Sequence, residues 1–412
     1  MNRVIYPFKY DGSVHINSSK SLFQRVLALS CFSKKPFIIN GSLEEDDSIV
    51  AKDICEKIGL SVFKHNSCLE INGTVLDLDA ISVDAKESGL STRVFAVLLS
   101  SLFNQVKISL DGTAKKRKFD FSPLKELGVY SSYEDGMIFL SGKLSSGKII
   151  IQNSDTSQLL TGLLITLPFL KNDSIVGCTN LVSKTYIDIT LDLLQQFGII
   201  INNDSYKTFS IPGNQVLNKN KINVEGDWSS AAFHFVGAAI SGEVDIYGLN
   251  LNSCQGDKMI LKVLKECGAD VSINDVYINV QKNNLNSFIF DATDTPDLFP
   301  PLVALASCCE GTSLVYGTNR LINKESNRLI SIQKEFLKLG VDISLEENCL
   351  KIKGTKTIKG GLVNSHHDHR IAMALSIMAS VAESSVTIID SNVVSKSYSK
   401  FYEDLEKVSK IS

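Results

Sequence analysis

The chain has 412 residues, 44% hydrophobic and 21% charged, with a formal net charge of −3 and a pI near 6.1. That composition fits a folded globular protein of two or three domains and excludes disordered, collagen-like and coiled-coil chains. The near-neutral balance gives no electrostatic drive toward nucleic acid or a membrane surface.

No long apolar run follows the opening Met1–Phe8 segment, so a secretory signal peptide is not expected. The longest greasy stretches, Val94–Phe103 and Gly162–Leu170, are too short to span a bilayer. The nine cysteines include no Cys-x-x-Cys pair, which fits reduced thiols in the cytoplasm better than disulfides or zinc.

Taken in chain order, the predicted elements repeat. A first strand pair, Val4–Phe8 and Ser13–Asn17 around Tyr10-Asp11-Gly12, reads as a hairpin. A helix apolar nearly all round then starts near Ser21, and similar helices start near Leu90, Thr156, Trp228, Asp297 and Asp368. Such helices are buried. After each of the first five, a strand ends near a glycine: Gly41, Gly112, Gly177, Gly248 and Gly317. A second, outer helix follows and ends at Gly59, Gly128, Gly198, Gly268 or Gly340, positions 69 to 72 residues apart. Helix C-termini commonly need a left-handed residue, which glycine supplies without strain. Two short strands around a polar turn close each period. The order strand, buried helix, strand, outer helix, strand, strand implies a parallel crossover followed by a hairpin.

Six such units imply an α/β protein of two lobes with three βαβαββ units each. One lobe spans 16–223. The other combines 1–15 with 224–412, the N-terminal hairpin closing the last unit, whose outer helix near Tyr398–Val408 has no hairpin after it.

Chemistry is expected at the helix starts, where free N–H groups and the helix dipole favour anions. Lys20 and Arg25 flank the first start. Asp155, Thr156, Ser157 and Gln158 open the third buried helix, and Ser183, Lys184 and Tyr186 the third outer one. Asp297 opens the fifth buried helix. Lys324, Glu325 and Arg328 open the next outer helix, with Lys324 and Arg328 four apart on one face. His366-His367-Asp368-His369-Arg370 opens the sixth buried helix, and Lys396 lies ahead of the last outer one. An ordinary N-cap, a solvated basic turn or an i,i+4 surface pair would account for any one of these. Their recurrence at equivalent ends of similar units implies a cationic site for phosphorylated or carboxylated small molecules, with Asp297 and Glu325 facing it. The histidine cluster could be read as a metal site, but no second cluster supplies further ligands. No nucleotide-binding glycine loop is present.

Several motifs together carry a resemblance. They are Ser19-Lys20-Ser21-x-x-x-Arg25, Ser157-Gln158, Leu181–Thr190, Pro296-Asp297, Lys324-Glu325-Ser326-Asn327-Arg328, Asp368-His369-Arg370-Ile371-Ala372-Met373 and Ser395-Lys396-Ser397-Tyr398. In order, over residues 15 to 402, they resemble the enolpyruvylshikimate-phosphate synthases, that is, the 3-phosphoshikimate 1-carboxyvinyltransferase family of enolpyruvyl transferases. The resemblance implies the inside-out α/β barrel of that family, with no metal or organic cofactor. It implies transfer of the enolpyruvyl group of phosphoenolpyruvate to the 5-hydroxyl of shikimate 3-phosphate, in the cytoplasm, by a monomer. Lys20, Ser21, Arg25, Thr156, Ser157, Gln158, Ser183, Tyr186, Asp297 and Lys324 would bind shikimate 3-phosphate. Lys20, Gly89, Arg117, Gln158, Arg328, Arg370 and Lys396 would bind phosphoenolpyruvate. Asp297, Glu325, Lys324 and Lys20 would carry the catalysis.

Two segments depart from the family pattern. Glu87-Ser88-Gly89-Leu90-Ser91-Thr92-Arg93 keeps the glycine and the arginine but has Leu90 where a hydroxyl is usual. Gly112-Thr113-Ala114-Lys115-Lys116-Arg117-Lys118 has no Arg-Pro, and Arg117 is the expected substitute. Three alternatives remain open at this point. The sister transferase acting on a UDP-sugar generally carries a cysteine in the segment matching Gly112–Asp120, where none stands here. A binding-only descendant and an RNA-end-processing enzyme of similar repeats are the others.

Overall fold

The computed structural model describes residues 1–151 and 156–410, so Asp155 lies outside the described residues. By its contacts the chain divides into two units, Ser18–Val224 and a second made of Met1–Asn17 with Glu225–Ser412. The boundaries differ slightly from 16–223. Ile16 N–H donates to the Tyr247 carbonyl and Asp227 N–H to the Asn17 carbonyl, which keeps both residues with the second unit. Val224 N–H donates to the Asn40 carbonyl, which keeps it with the first.

The unit Ser18–Val224 holds three four-stranded sheets of one design. In the middle one, Ala80–Lys86 runs parallel to Gln105–Leu110, which pairs antiparallel with Met137–Ser141 and through it with Tyr130–Glu134. The buried helices Lys20–Ser30, Gly89–Leu102 and Gln158–Thr166 begin within two residues of the expected starts and pack against one another. They are apolar on all sides because helices as well as sheet surround them. Leu27, Leu98 and Leu163 are fully buried in the common core, each worth about 1.5–3 kcal/mol.

The second unit repeats the plan around helices Trp228–Ser241, Phe299–Ser307 and His369–Met378. Gly59, Gly128, Gly198, Gly268 and Gly340 all have positive φ, from +76° to +108°, as their helix-ending position requires.

Two expectations need correction. The second outer helix is no α-helix: Gly112–Lys116 and Ser122–Leu127 are 3₁₀ turns. Pro123 and the basic run Lys115–Lys118 interrupt any apolar stripe there, so nothing rewards a longer helix. The N-terminal residues also form no hairpin. Arg3–Ile5 pairs antiparallel with Val386–Ile389 in the sheet of the last repeat, which has three strands. Ser13–His15 instead runs parallel to Glu243–Tyr247 in the fourth repeat. Lys221–Asn223 takes the corresponding parallel place beside Phe37–Asn40 in the first. Each unit therefore completes its first sheet with a strand from a distant part of the chain.

No helix among the described residues is long and apolar enough to cross a membrane. The segment between Arg3–Ile5 and Ser13–His15 is fixed by Tyr10, fully buried against the helix Trp228–Ser241. A Cβ on Gly242 would overlap the Tyr10 carbonyl oxygen, and one on Gly237 its ring. Gly242→Ala should therefore cost about 1–3 kcal/mol in urea unfolding, whereas an unchanged midpoint would show that this docking adds no stability.

Candidate active site

In the unit Ser18–Val224, Lys20 stands first in its helix, with Nζ 2.8 Å from Asp47 Oδ2. Asp47 lies in the first turn of Asp46–Lys57, so the first buried and first outer helix starts meet. Ser21 and Tyr186 flank Arg25, which donates from Nη1 to the Ser21 carbonyl, from Nη2 to the Tyr186 carbonyl and from Nε to Thr190 Oγ1, at 2.7, 3.1 and 2.9 Å. Arg25 is only 1% exposed. Burial lowers its pKa to about 10. It ties Lys20–Ser30 to Lys184–Gln196 and is a corner post of the site more than an open anion ligand.

Gly89 opens the second buried helix, capped by Ser88, whose hydroxyl accepts from Ser91 N–H at 3.4 Å. A Cβ built on Gly89 would stand 3.1 Å from Arg117 Nη1, 3.4 Å from Arg93 Nη1 and 3.7 Å from Gln158 Oε1. Three residues far apart in sequence thus converge on one bare backbone position. Arg93 Nη1 donates to Gln158 Oε1 at 2.8 Å and to the Gly89 carbonyl at 3.3 Å. Its guanidinium carbon lies 4.4 Å from the Phe119 ring centroid. Arg117 Nη2 donates to Thr113 Oγ1 at 3.1 Å, while its Nε is buried with no hydrogen-bond partner. Lys115 and Lys116 point to solvent, Lys115 within 3.5 Å of Asp111. Two guanidinium groups over a helix start are a donor set that suits an anion.

Thr156 Oγ1 accepts from Gln158 N–H at 3.3 Å, and buried Ser157 precedes the helix. Ser183, also buried, takes φ +56° immediately before Lys184–Gln196, and its carbonyl accepts from Tyr186 N–H at 3.1 Å. A left-handed serine costs about 1–3 kcal/mol, and here it aims the outer helix start.

In the second unit, one guanidinium organises everything. Arg328 is 1% exposed and opens Arg328–Lys338. Its Nη1 donates to Asp297 Oδ1 at 2.8 Å, Nη2 to Glu325 Oε2 at 2.6 Å and Nε to Asp368 Oδ2 at 2.8 Å. These three carboxylates raise its pKa against the penalty of burial. Arg370 Nη2 binds the other Asp297 oxygen at 2.8 Å. Asp368 also caps its own helix, accepting from Arg370 N–H at 3.0 Å. Lys324 Nζ lies 4.0 Å from Asp297 Oδ1. Burial draws its amine down to about 8, against the pull of Asp297. Lys396 donates to the His367 carbonyl at 3.4 Å, which places it beside the same helix start.

Sequence reasoning assigned Asp297, Lys324, Glu325, Arg328, Arg370 and Lys396 to one site, and they belong to one unit. It left out Asp368, whose place two residues before Arg370 is an N-cap signal, and Arg93, four residues after Gly89 and so on the same helix face. The histidines do not form a metal cluster: His366 Nε2 is 2.7 Å from Glu335 Oε1, and no group of three or more His, Cys, Asp or Glu suited to a metal occurs among the described residues.

Repeated α/β units presenting arginines, lysines and carboxylates at their helix starts suit an enzyme of small anionic substrates. The family model for EPSP synthase (3-phosphoshikimate 1-carboxyvinyltransferase) matches residues 6–405. The 3-phosphoshikimate 1-carboxyvinyltransferase of Clostridium perfringens is 36% identical over 413 residues, covering 98% of this chain and 97% of that protein. The Clostridium acetobutylicum enzyme of the same name is 36% identical over 416 residues, covering 98% and 96%. An EPSP synthase structure from Acinetobacter baumannii shares the fold with a TM-score of 0.84 at 23% identity, covering 99% of this chain and 98% of that one. The chain belongs to the EPSP synthase family.

Arg328→Met would remove the buried guanidinium shared by Asp297, Glu325 and Asp368, leaving Arg370 and Lys324 beside Asp297. A loss of about 3–5 kcal/mol in unfolding free energy is expected. Denaturant titration at neutral pH checks it, and a loss below about 1 kcal/mol would remove Arg328 as the organising charge.

Proposed function

We propose that the chain transfers the enolpyruvyl group of phosphoenolpyruvate to the 5-hydroxyl of shikimate 3-phosphate, releasing phosphate, on the shikimate pathway to chorismate and the aromatic amino acids. The observation that carries this reading is the pair Asp297 and Glu325 held on the single guanidinium of Arg328, with Lys324 and Arg370 alongside.

The chemistry needs that arrangement. Protonation of the phosphoenolpyruvate methylene carbon makes the adjacent carbon cationic. The 5-hydroxyl adds there and gives up its proton. The tetrahedral adduct then loses a methyl proton and phosphate. One acid and one base must act on opposite sides of this sequence, and two carboxylates fixed in different positions divide the tasks. Lys324, its amine drawn down to about 8, lies near enough to Asp297 to share proton movement.

Arg328, Arg370 and Lys396 offset the charge of phosphoenolpyruvate in their unit. Lys20, Gly89, Arg117 and Gln158 serve it in theirs, with Arg93 added to the group. Ser21, Thr156, Ser157, Gln158, Ser183 and Tyr186, with Lys20, take shikimate 3-phosphate, while Arg25 holds the Ser21 and Tyr186 carbonyls in place. Asp297 and Lys324 also serve that substrate. The reaction as written uses no metal or organic cofactor. The finer architecture we propose is the inside-out α/β barrel of the enolpyruvyl transferases in each unit, working as a cytoplasmic monomer.

The test is phosphate release from phosphoenolpyruvate. It should require shikimate 3-phosphate and be unaffected by EDTA. Release without the second substrate, or none with both, would defeat the reading.

Within it, Arg117→Ala should raise KM for phosphoenolpyruvate about 10–100-fold, the loss of one charged hydrogen bond, with KM for shikimate 3-phosphate nearly constant. An equal rise in both constants would place Arg117 elsewhere in the binding scheme.

A further inference from the structure

The buried helix of the fourth repeat, Trp228–Ser241, carries a histidine at its centre. His234 is fully buried. Its ring lies 5.6 Å from the rings of Tyr398 and Phe401 and 6.2 Å from that of Tyr10, centroid to centroid. An imidazole in such surroundings is costly unless it is hydrogen-bonded. His234 Nε2 lies 3.1 Å from the hydroxyl of Tyr398, which is also fully buried. That hydroxyl donates to Asp404 Oδ2 at 2.8 Å, and Lys407 Nζ donates to the other oxygen at 2.7 Å. A phenol has one hydrogen. With it given to Asp404, the phenol oxygen accepts from His234 Nε2–H. Burial draws the ring down to about 4, against the pull of Asp404, which keeps it neutral. Nδ1 is buried without a hydrogen-bond partner, so Tyr398 is the polar tie of this ring.

The chain of bonds joins three segments: the buried helix of the fourth repeat, the link after the 3₁₀ turn Ser391–Lys396, and the first turn of Phe401–Val408. Tyr398 stands two residues beyond Lys396. Its N–H, at 2.8 Å, and that of Ser397, at 3.1 Å, both donate to the carbonyl of Val394, itself buried. Lys396 is therefore carried between two buried residues, Val394 and Tyr398, and its Nζ meets the His367 carbonyl at 3.4 Å, just ahead of His369–Met378. The reaction as proposed uses Lys396 but not His234, Tyr398 or Asp404.

We propose that His234, Tyr398 and Asp404 are positioning residues for phosphoenolpyruvate binding: their hydrogen bonds tie the turn that ends in Lys396 to the core of the fourth repeat and so fix where its ammonium stands. The inference rests on the proposed function and deepens it. A lysine has a long flexible stem, so the placing of its charge depends on the backbone that carries it. Apolar packing would keep the Tyr398 ring buried but would let it turn or slide. Two hydrogen bonds, one received from His234 and one given to Asp404, fix the hydroxyl and with it the turn behind it.

Tyr398→Phe tests it, because it keeps the ring and removes the hydroxyl. KM for phosphoenolpyruvate should rise about tenfold, the effect of loosening one charged contact. The kcat and KM for shikimate 3-phosphate should stay within about twofold, the pattern of lost binding without lost chemistry. An equal change in both KM values, or none, overturns the proposal. In a Lys396→Met background the same change should add less than about twofold, since residues acting through one group are not additive. A further rise of about tenfold there overturns it. Should Tyr398→Phe fail to fold, two His234 variants decide. The amide of His234→Gln reaches the place of Nε2 and should keep the wild-type KM, while that of His234→Asn falls short and should raise it. Equal KM values in the two overturn the proposal. If the wild type releases no phosphate, the proposed function falls separately, and acetylation by acetic anhydride, followed by peptide mass spectrometry, answers for the turn. Lys396 should react several-fold faster in Tyr398→Phe than in the wild type, with Lys262 of the same unit unchanged. An unchanged rate at Lys396, or the same rise at both lysines, overturns the proposal.

Discussion

One buried guanidinium holds the acid cluster of the second unit together. Arg328 meets three carboxylates on three segments: Asp297 ahead of Phe299–Ser307, Glu325 ahead of its own helix, and Asp368 at the cap of His369–Met378. A lone buried arginine would be costly, as would any of the acids alone. Together they are stable only in this geometry, so the fifth and sixth repeats are fixed at the point where their helices begin. The backbone nearby bears strain for it. His366 and His367 both have positive φ, at +53° and +57°. His366 is restrained by fully buried Glu335, 2.7 Å away, on the helix that Arg328 opens.

The unit Ser18–Val224 uses its arginines differently, and burial separates their roles. Arg25 has its donors turned to carbonyls and a threonine inside the fold. Arg117 keeps a buried Nε with no hydrogen-bond partner and lies over a glycine that leaves space beside it. Arg25 lies in the second turn of Lys20–Ser30, and Arg117 follows directly on the 3₁₀ turn Gly112–Lys116. Arg25 braces the scaffold, and Arg117 retains an unused donor beside Gly89. Exchanging Gly89 for any residue with a side chain would press on Arg117 before it disturbed the helix.

Repetition explains why these groups fall at comparable places. A βαβαββ unit brings its buried helix and its outer helix to a start on the same side of the sheet only if the first two strands are parallel. The pairing of Ala80–Lys86 with Gln105–Leu110, and of Ile289–Asp291 with Thr312–Tyr316, meets that condition. A strand two residues longer or shorter would still pair, but the helix start would shift by several ångströms and the charges would no longer meet.

The sequence by itself determined the repeat, the alternation of buried and outer helices, the glycines that end them and the motif residues of the acid cluster. These are local or periodic signals: left-handed glycines, helices apolar all round, and charged residues a fixed distance before them. Tertiary structure alone decided which strand completes which sheet. Ser13–His15 and Lys221–Asn223 are three-residue strands whose partners lie over 180 residues away, and nothing in so short a segment specifies a partner at that distance. It also decided that Arg25 would be enclosed and that Arg93, Arg117 and Gln158 would converge on Gly89. Burial and Coulomb interaction depend on distance in space, and a chain expresses that distance only after its helices have packed.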